Sequence, residues 1–147
     1  MQRIIVQEAD FNAGAEIARL NADEVGGIGS FIGVVRGEGK IAALHLEHYP
    51  GMTERALRKI ATEAMARWPL TGCTIIHRVG RMVPGDHIVF VGAASAHREA
   101  ALSATAFLID WLKTSAPFWK REEFLTGGSA WVEARATDEA KAAGWTK

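Results

Sequence analysis

The sequence predicts a single α+β domain with mostly antiparallel strands and about three helices. The chain has 147 residues, of which 48% are hydrophobic and 23% charged, values typical of one globular domain. Short β-branched runs bounded by glycine and proline predict strands, and apolar residues at three- and four-residue spacing predict helices. No linker or repeat divides the chain, so we expect one domain over residues 1–147, with a variable tail after about residue 136.

The predicted order of elements is β-α-β-β-α-β-β-α-β-β. The strand segments are rich in β-branched and aromatic residues, whereas the helical segments carry their apolar residues on one side. The expected strands cover residues 3–7, 31–35, 41–49, 74–79, 87–93, 118–124 and 131–134, and the expected helices cover residues 12–22, 52–68 and 97–114.

Turn and cap residues justify the first elements of this order. In the first helix, Ile17 and Leu20 fall on one side, which we expect to be buried. The turn Gly37-Glu38-Gly39 predicts that the strands before and after it form a hairpin. Thr53 is the expected N-cap of the second helix, and Pro69 follows the end of that helix.

The later elements are bounded in the same way. Pro84 and Gly85 at the centre of residues 83–86 predict a type II turn between two strands. Ser95 is the expected cap of the last long helix, and Pro117 ends that helix. The buried stripe of the helix is expected to consist of Ala101, Ala104, Leu108, Trp111 and Leu112.

Composition argues against several classes of protein. Lys plus Arg and Asp plus Glu are both 17, so a net charge of zero gives no overall field to attract nucleic acid or an anionic membrane. The N-terminus reaches Glu8 and Asp10 before an apolar stretch can form, and no run approaches the roughly 20 apolar residues of a membrane-spanning helix. Cys73 is the only cysteine, so no disulfide within the chain is possible. We expect a cytoplasmic protein without metal or cofactor.

His97 and Arg98 lie in the first turn of the last long helix, where a cation opposes the helix dipole at a cost of about 0.3–1 kcal/mol. Backbone N–H groups at a helix start, together with Arg98, can bind an anion such as a phosphate. A solvated arginine paired with Glu99 explains the same turn, and from this turn alone we favour that explanation.

Lys113 and Lys120 are the strongest candidates for catalysis. A lysine near a helix C-terminus is electrostatically favoured and needs no function, so Lys113 alone is weak evidence. Lys120 follows Phe118 and Trp119, which should be partly buried and hold its ammonium group against a wall of low dielectric. Two ammonium groups in one pocket repel each other, and this favours the neutral form used in acid–base chemistry. We hypothesise that both lysines face one pocket.

The length of the last helix constrains any site that uses both of its ends. His97 and Lys113 are sixteen residues apart in the sequence, or roughly 24 Å along one helix. One small ligand cannot contact both ends within one chain. If both ends serve one site, the site is shared by two subunits of a symmetric dimer, which then carries two equivalent sites.

Other polar residues give weaker signals. Arg36 ends a strand before a glycine turn, where its side chain can enter a cleft, but strand-end arginines are commonly just solvated. His45 and His48 point to opposite faces of one strand, which argues against a metal site. His77 and His87 lie in strand patterns and are interpreted as structural residues.

Several segments together resemble the large, catalytic subunit of molybdopterin synthase. The strings Leu-Glu-His-Tyr-Pro-Gly-Met at residues 46–52 and Ala-Pro-Phe-Trp-Lys at residues 116–120 are highly specific to that family. The resemblance spans about residues 28–135 in order. Its further parts are Phe31-x-Gly-x-Val-Arg36, Ile76-His-Arg-Val-Gly80, Pro84-Gly-Asp86, Ser95-Ala-His-Arg98, Leu112-Lys113 and Trp131-Val-Glu-Ala-Arg135.

The resemblance implies an α/β hammerhead arrangement and a sulfurtransferase of molybdenum cofactor biosynthesis. In that family, cyclic pyranopterin monophosphate receives two sulfurs and becomes the dithiolene molybdopterin. The sulfur arrives as a C-terminal thiocarboxylate on a small ubiquitin-like subunit. Two large subunits form a central dimer with one small subunit at each end, so the resemblance implies a homodimer within a heterotetramer.

The resemblance also implies site residues. Lys113 and Lys120 match the family's active-site lysines, with acid–base roles. Residues 122–130 follow no pattern that we can match, and we expect a mobile loop over the pocket there. The residues expected to bind substrate are Val34, Val35, Arg36, His97, Arg98, Arg121, Glu122 and Arg135, with His97 and Arg98 coming from the neighbouring subunit.

Two other functions stay open at the level of sequence. One is a pterin- or phosphate-binding module without turnover, and the other is a protein that only docks a ubiquitin-like partner. The presence of both lysines favours the enzyme.

Overall fold

The computed structural model describes residues 1–132 and 136–145, and within these the chain forms eight strands and four helices. All the expected elements are present, and a three-residue strand and a helix near the C-terminus are added to them. The strands are β1 (Gln2–Gln7), β2 (Gly27–Val34), β3 (Ile41–His48), β4 (Leu70–Arg78), β5 (Gly80–Met82), β6 (His87–Ser95), β7 (Phe118–Phe124) and β8 (Ser129–Val132). The helices are α1 (Ala13–Leu20), α2 (Met52–Arg67), α3 (Arg98–Thr114) and α4 (Ala136–Ala143).

The first sheet has the order β1-β4-β6-β2 and carries the core. β1 runs parallel to β4, whereas β4, β6 and β2 are antiparallel neighbours. α2 and α3 pack on one face of this sheet through residues such as Leu57, Ile60 and Leu108, and α1 packs on the other face through Leu20. Because both faces are covered, β4 and β6 are buried along most of their length rather than at alternate positions.

The second sheet has the order β5-β3-β7-β8, and all its pairs are antiparallel. The expected hairpin of β2 and β3 is therefore wrong, because β2 pairs with β6 in the first sheet while β3 pairs with β5 and β7. The turn after Gly37 exists, since Lys40 N–H donates to Gly37 O at 2.9 Å, but it carries the chain from one sheet to the other. The α+β class with mostly antiparallel strands is confirmed.

Three details of α1 and α2 differ from the prediction. Ile17 is 36% exposed, so it does not lie on the buried side of α1 with Leu20. Glu16 is buried instead, because its carboxylate accepts a hydrogen bond from Arg3 Nε at 2.7 Å. The N-cap of α2 is Gly51 rather than Thr53. Thr53 lies inside the helix, and its Oγ1 accepts a hydrogen bond from the N–H of Tyr49, which precedes the helix.

α3 begins within one residue of its expected start, but Ser95 does not cap it. His97 occupies the N-cap position, and Ser95 Oγ accepts from His97 N–H at 3.2 Å, which fixes the approach to the helix. Gly29 of β2 lets the helix lie close to the first sheet, because a Cβ atom there would be 2.7 Å from Ala101 O. The predicted stripe of α3 is buried at Ala101, Ala104 and Leu108 and partly buried at Trp111 and Leu112.

Two turns can be compared with their predictions. At residues 83–86, Gly85 has a φ of 95° and Asp86 N–H donates to Val83 O at 3.0 Å, as a type II turn requires. The loop expected over residues 122–130 is wrong in extent, because β7 continues to Phe124 and β8 begins at Ser129, leaving a tight hairpin.

The region after residue 135 contains α4 where the sequence pattern indicated no element. Trp145 follows this helix, and its Nε1–H donates to Asp110 Oδ2 of α3 at 2.7 Å. The Trp145 ring also contacts Trp68 and Phe107 edge-to-face, which joins it to the core below α2 and α3. Among the described helices, none combines the length and the apolar character needed to cross a membrane.

Candidate active site

A cleft of about 550 Å³ opens where the end of β2, the C-terminus of α3 and β7 meet. Its walls come from both sheets, and its volume lies in the range of small-molecule sites. The predicted site residues that line it are Val34, Val35, Arg36, Lys113, Lys120 and Glu122.

The two lysines reach this cleft from different elements. Lys113 lies in the last turn of α3, where the partial negative charge of the helix end favours a cation. Lys120 lies at the middle of β7, and Phe118 and Glu122 on either side of it face the cleft as well. The alternation of a strand turns Arg121 to the opposite face. The structure therefore brings Lys113 and Lys120 to one cavity and places Arg121 outside it.

His77 of β4 is a further wall residue, although its strand pattern indicated only a structural role. Its side chain is nearly inaccessible, with 5% of the residue exposed. The ring stacks on Phe118 with a centroid distance of 3.9 Å and an interplanar angle of 20°, and Nδ1 lies 2.9 Å from Arg78 O. No local sequence signal separates it from a core histidine, since its neighbours in the cleft come from α3 and β7.

The pKa of His77 is also affected by the lysines that line the cleft. Its pKa is lowered to about 4, mainly by burial and also by repulsion from Lys120, Lys113 and His48, while the hydrogen bond to Arg78 O acts in the opposite direction. His77 is therefore uncharged at neutral pH, and the lysines supply the positive charge at this wall.

A second cleft of about 260 Å³ adjoins the first. The two clefts share His77, Lys113 and Lys120, so these three residues stand where the cavities meet. The rest of the smaller cleft is largely apolar and comes from β2 and α3, including Phe31 and Ile109.

Arg36 lies at the first cleft with its side chain 65% exposed. Its Nε is 2.8 Å from Glu38 Oε1. Exposed pairs of this kind contribute about 0–1 kcal/mol, so an anion in the cleft can readily replace Glu38 as the partner of Arg36.

Two other predicted residues do not reach this cleft in one chain. His97 and Arg98 are at the start of α3, a full helix length of roughly 24 Å from Lys113. Arg135 lies outside the described residues. Within residues 1–132 and 136–145, no three His, Cys, Asp or Glu side chains converge as a metal site.

The fold and the cleft define a class of protein: a small α+β domain with a cationic cavity suited to an anionic small molecule. The sequence model of the family described as MoaE protein matches residues 6–115. The molybdopterin synthase catalytic subunit of Pseudomonas aeruginosa is 52% identical over 147 residues, which cover 97% of each chain. The chain belongs to the MoaE family, and the expectation of a molybdopterin synthase catalytic subunit is confirmed.

Solved structures agree with this assignment. The molybdopterin biosynthesis MoaE protein from Burkholderia ambifaria MC40-6 is 47% identical and covers 100% of this chain and 99% of its own, with a TM-score of 0.86. This likeness confirms the expected α+β fold with mostly antiparallel strands. A chain in the protein–protein complex of subunits 1 and 2 of molybdopterin-converting factor from Helicobacter pylori 26695 is 21% identical, with a TM-score of 0.69 over 92% of this chain and 90% of its own, and shares the fold.

Proposed function

We propose that this chain converts cyclic pyranopterin monophosphate to molybdopterin, with the C-terminal thiocarboxylate of a small ubiquitin-like subunit as the sulfur donor. The observation that carries the proposal is the convergence of Lys113 and Lys120 on one cleft. Substrate, donor tail and intermediate are all anionic, so fixed cations beside a partly buried wall stabilise each of them.

The cleft residues have separate roles in this proposal. Addition of sulfur and opening of the cyclic phosphate each move a proton, and Lys113 and Lys120 give and take these protons. Arg36 leaves Glu38 to bind the substrate phosphate in a bidentate manner. Val34, Val35 and Glu122 form the adjoining wall, and Arg135 is a further candidate phosphate ligand, whereas Arg121 has no role in this cleft because its side chain is on the opposite face of β7.

We also propose that a second copy of the chain completes the site. β2 is an edge strand of the first sheet, so its outer edge can pair with the same strand of another copy. The start of α3 lies against Gly27, where a Cβ atom would be 3.2 Å from Arg98 Cα, and the end of α3 lies near Val34 at the clefts. An antiparallel pairing centred on β2 sets Gly27 of one copy beside Val34 of the other. His97 and Arg98 of the second copy then lie at the mouth of this cleft.

The full assembly in this proposal is a cytoplasmic heterotetramer, with the homodimer at its centre and one small subunit at each end. The buried, unpaired thiol of Cys73 suits a reducing compartment. A measured mass equal to two large and two small subunits is the expected result for the co-purified complex.

Reconstitution tests the reaction. The purified chain is mixed with thiocarboxylated small subunit and cyclic pyranopterin monophosphate, and dithiolene formation is followed. We expect product from the wild type, and a loss of at least about 100-fold in the Lys113→Ala, Lys120→Ala double variant, because general acid–base groups contribute about 10²–10⁴-fold. Lys59→Ala is the matched control, since it removes an exposed lysine of α2. No product from the wild type rejects the enzyme, and wild-type rates in the double variant reject the lysine roles.

A complementation experiment tests the shared site. One chain carries Lys113→Ala and Lys120→Ala, and the other carries His97→Ala and Arg98→Ala. Each pure variant is expected to be inactive. Random mixing gives half mixed dimers, each with one intact site, so activity should recover to about one quarter of wild type. No recovery after verified subunit exchange rejects the intersubunit site.

A further inference from the structure

His77 presents a fixed hydrogen-bond acceptor to the clefts. Stacking on Phe118 and the contact between Nδ1 and Arg78 O hold its ring in one orientation. A carbonyl oxygen only accepts hydrogen bonds, so Nδ1 carries the ring proton and Nε2 has a free lone pair. Because His77 borders both clefts, this lone pair belongs to the wall where they meet.

The lone pair of Nε2 has no partner in the described part of the chain. The hydrogen bond of the ring is made by Nδ1, and no group in residues 1–132 and 136–145 donates to Nε2. His77 lines both clefts, so a molecule that fills them lies beside its ring. A molecule that fills the cleft displaces solvent from Nε2 and has to supply a donor in its place.

The groups around His77 determine which kind of ligand atom fits this acceptor. Lys113 of α3 and Lys120 of β7 line the same clefts as His77, and burial together with repulsion by Lys120, Lys113 and His48 keeps the ring uncharged at neutral pH. An anionic oxygen carries no hydrogen to donate and is attracted to the lysine ammonium groups instead. An N–H group of a neutral heterocycle is the complementary partner of Nε2.

We propose that His77 is a substrate-binding residue whose Nε2 accepts a hydrogen bond from a ring N–H or amino group of the pyranopterin, while the surrounding cations hold the phosphate. This inference rests on the proposed function and extends it, because it assigns recognition of the uncharged part of the substrate to a residue of β4. Sites built around such a bond discriminate strongly against ligands that lack the donor.

Nitrogen-15 NMR tests the contact without a variant. The full chain is labelled at histidine and combined with small subunit that carries no thiocarboxylate, so that substrate binds without turnover. Cyclic pyranopterin monophosphate is expected to shift the Nε2 resonance of His77 upfield, as acceptance of a hydrogen bond does, while inorganic phosphate leaves that resonance in place. A bound pterin with an unchanged Nε2 resonance overturns the proposal.

Calorimetric titration of two variants tests how much the hydrogen bond to Nε2 contributes to substrate affinity. His77→Phe keeps a ring against Phe118 and removes the acceptor, whereas His77→Gln keeps an amide oxygen. We expect His77→Phe to raise the Kd for the cyclic pterin about tenfold or more and to leave the Kd for inorganic phosphate within about twofold. His77→Gln should retain more of the pterin affinity. An equal loss for both ligands, or no loss for the pterin, overturns the assignment. Failure of the proposed function is a separate result, since it appears as absence of dithiolene product from the wild type.

Discussion

Protonation of His77 is expected to destabilise the fold as the pH falls from about 6.5 to about 4. Its pKa is lowered from 6.5 to about 4, first by burial and then by repulsion from Lys120, Lys113 and His48. In this pH range the unfolded chain binds a proton at His77 and the folded chain does not. The free energy of unfolding therefore decreases as the pH decreases. A difference of about 2.5 pH units corresponds to about 3.5 kcal/mol, at about 1.4 kcal/mol for each unit.

Urea unfolding at a fixed protein concentration measures this effect. The free energy of unfolding is determined between pH 7 and pH 4.5 for the wild type and for His77→Phe. The wild type should lose about 2–3 kcal/mol more than the variant over that range. His87→Phe, in the neighbouring strand β6, is the control for replacement of a histidine by phenylalanine. The pKa of Glu123 is lowered from 4.5 by its hydrogen bonds to His45 and Arg81, and this carboxylate is present in all three chains, so its effect on stability cancels in the comparison. Parallel loss of stability in the wild type and His77→Phe would refute the reasoning.

Two further predictions concern packing. Gly29→Ala should lower the free energy of unfolding by about 1–3 kcal/mol in urea, because its Cβ atom would lie 2.7 Å from Ala101 O of α3. Gly14→Ala in α1 is the matched control: its nearest neighbouring atom is at 3.5 Å, and a stability gain of up to about 1 kcal/mol is expected. An equal effect of the two substitutions would contradict the close approach of α3. Trp145→Phe removes the donor to Asp110 and should cost about 1 kcal/mol, with faster hydrogen exchange in α4. Unchanged exchange in α4 would show that this bond does not hold the helix.

The boundaries of the regular elements could be predicted from local sequence signals. β7 occupies residues 118–124 as predicted, because Pro117 ends the preceding helix and a run of aromatic and charged residues follows. α3 ends at Thr114 as predicted, since its apolar residues keep helical spacing up to Leu112. Such signals depend on interactions between residues a few positions apart, so they can be identified from the sequence.

Pairing and burial could not be predicted in this way. The glycines at 37 and 39 mark a turn, but they carry no information on which strand edges meet, and β2 pairs with a strand some sixty residues away in the sequence. Helical spacing likewise placed Ile17 with Leu20, whereas the carboxylate of Glu16 is buried because Arg3, from a different element, compensates its charge. In both cases the prediction is wrong because the strand or residue that makes the decisive contact is distant in the sequence.

The candidate site shows the same division. Lys113 and Lys120 could be proposed from their positions at a helix end and beside aromatic residues, and their meeting in one cleft required the fold. His77 could not be separated from a core histidine, because the residues that line the cleft with it come from α3 and β7, far away in the sequence.

The side chains of β7 alternate between the cleft and the opposite face. This alternation determines where the chain can tolerate an insertion or a deletion. Deleting or inserting one residue between Pro117 and Lys120 would rotate the strand by one position, taking Lys120 out of the cleft and bringing an outward residue such as Arg121 into it. The turn at residues 125–128 joins β7 to β8 beyond the cleft residues, so extra residues there leave the inward set unchanged. Insertions and deletions should therefore accumulate in that turn in natural variants and be rare between residues 117 and 122.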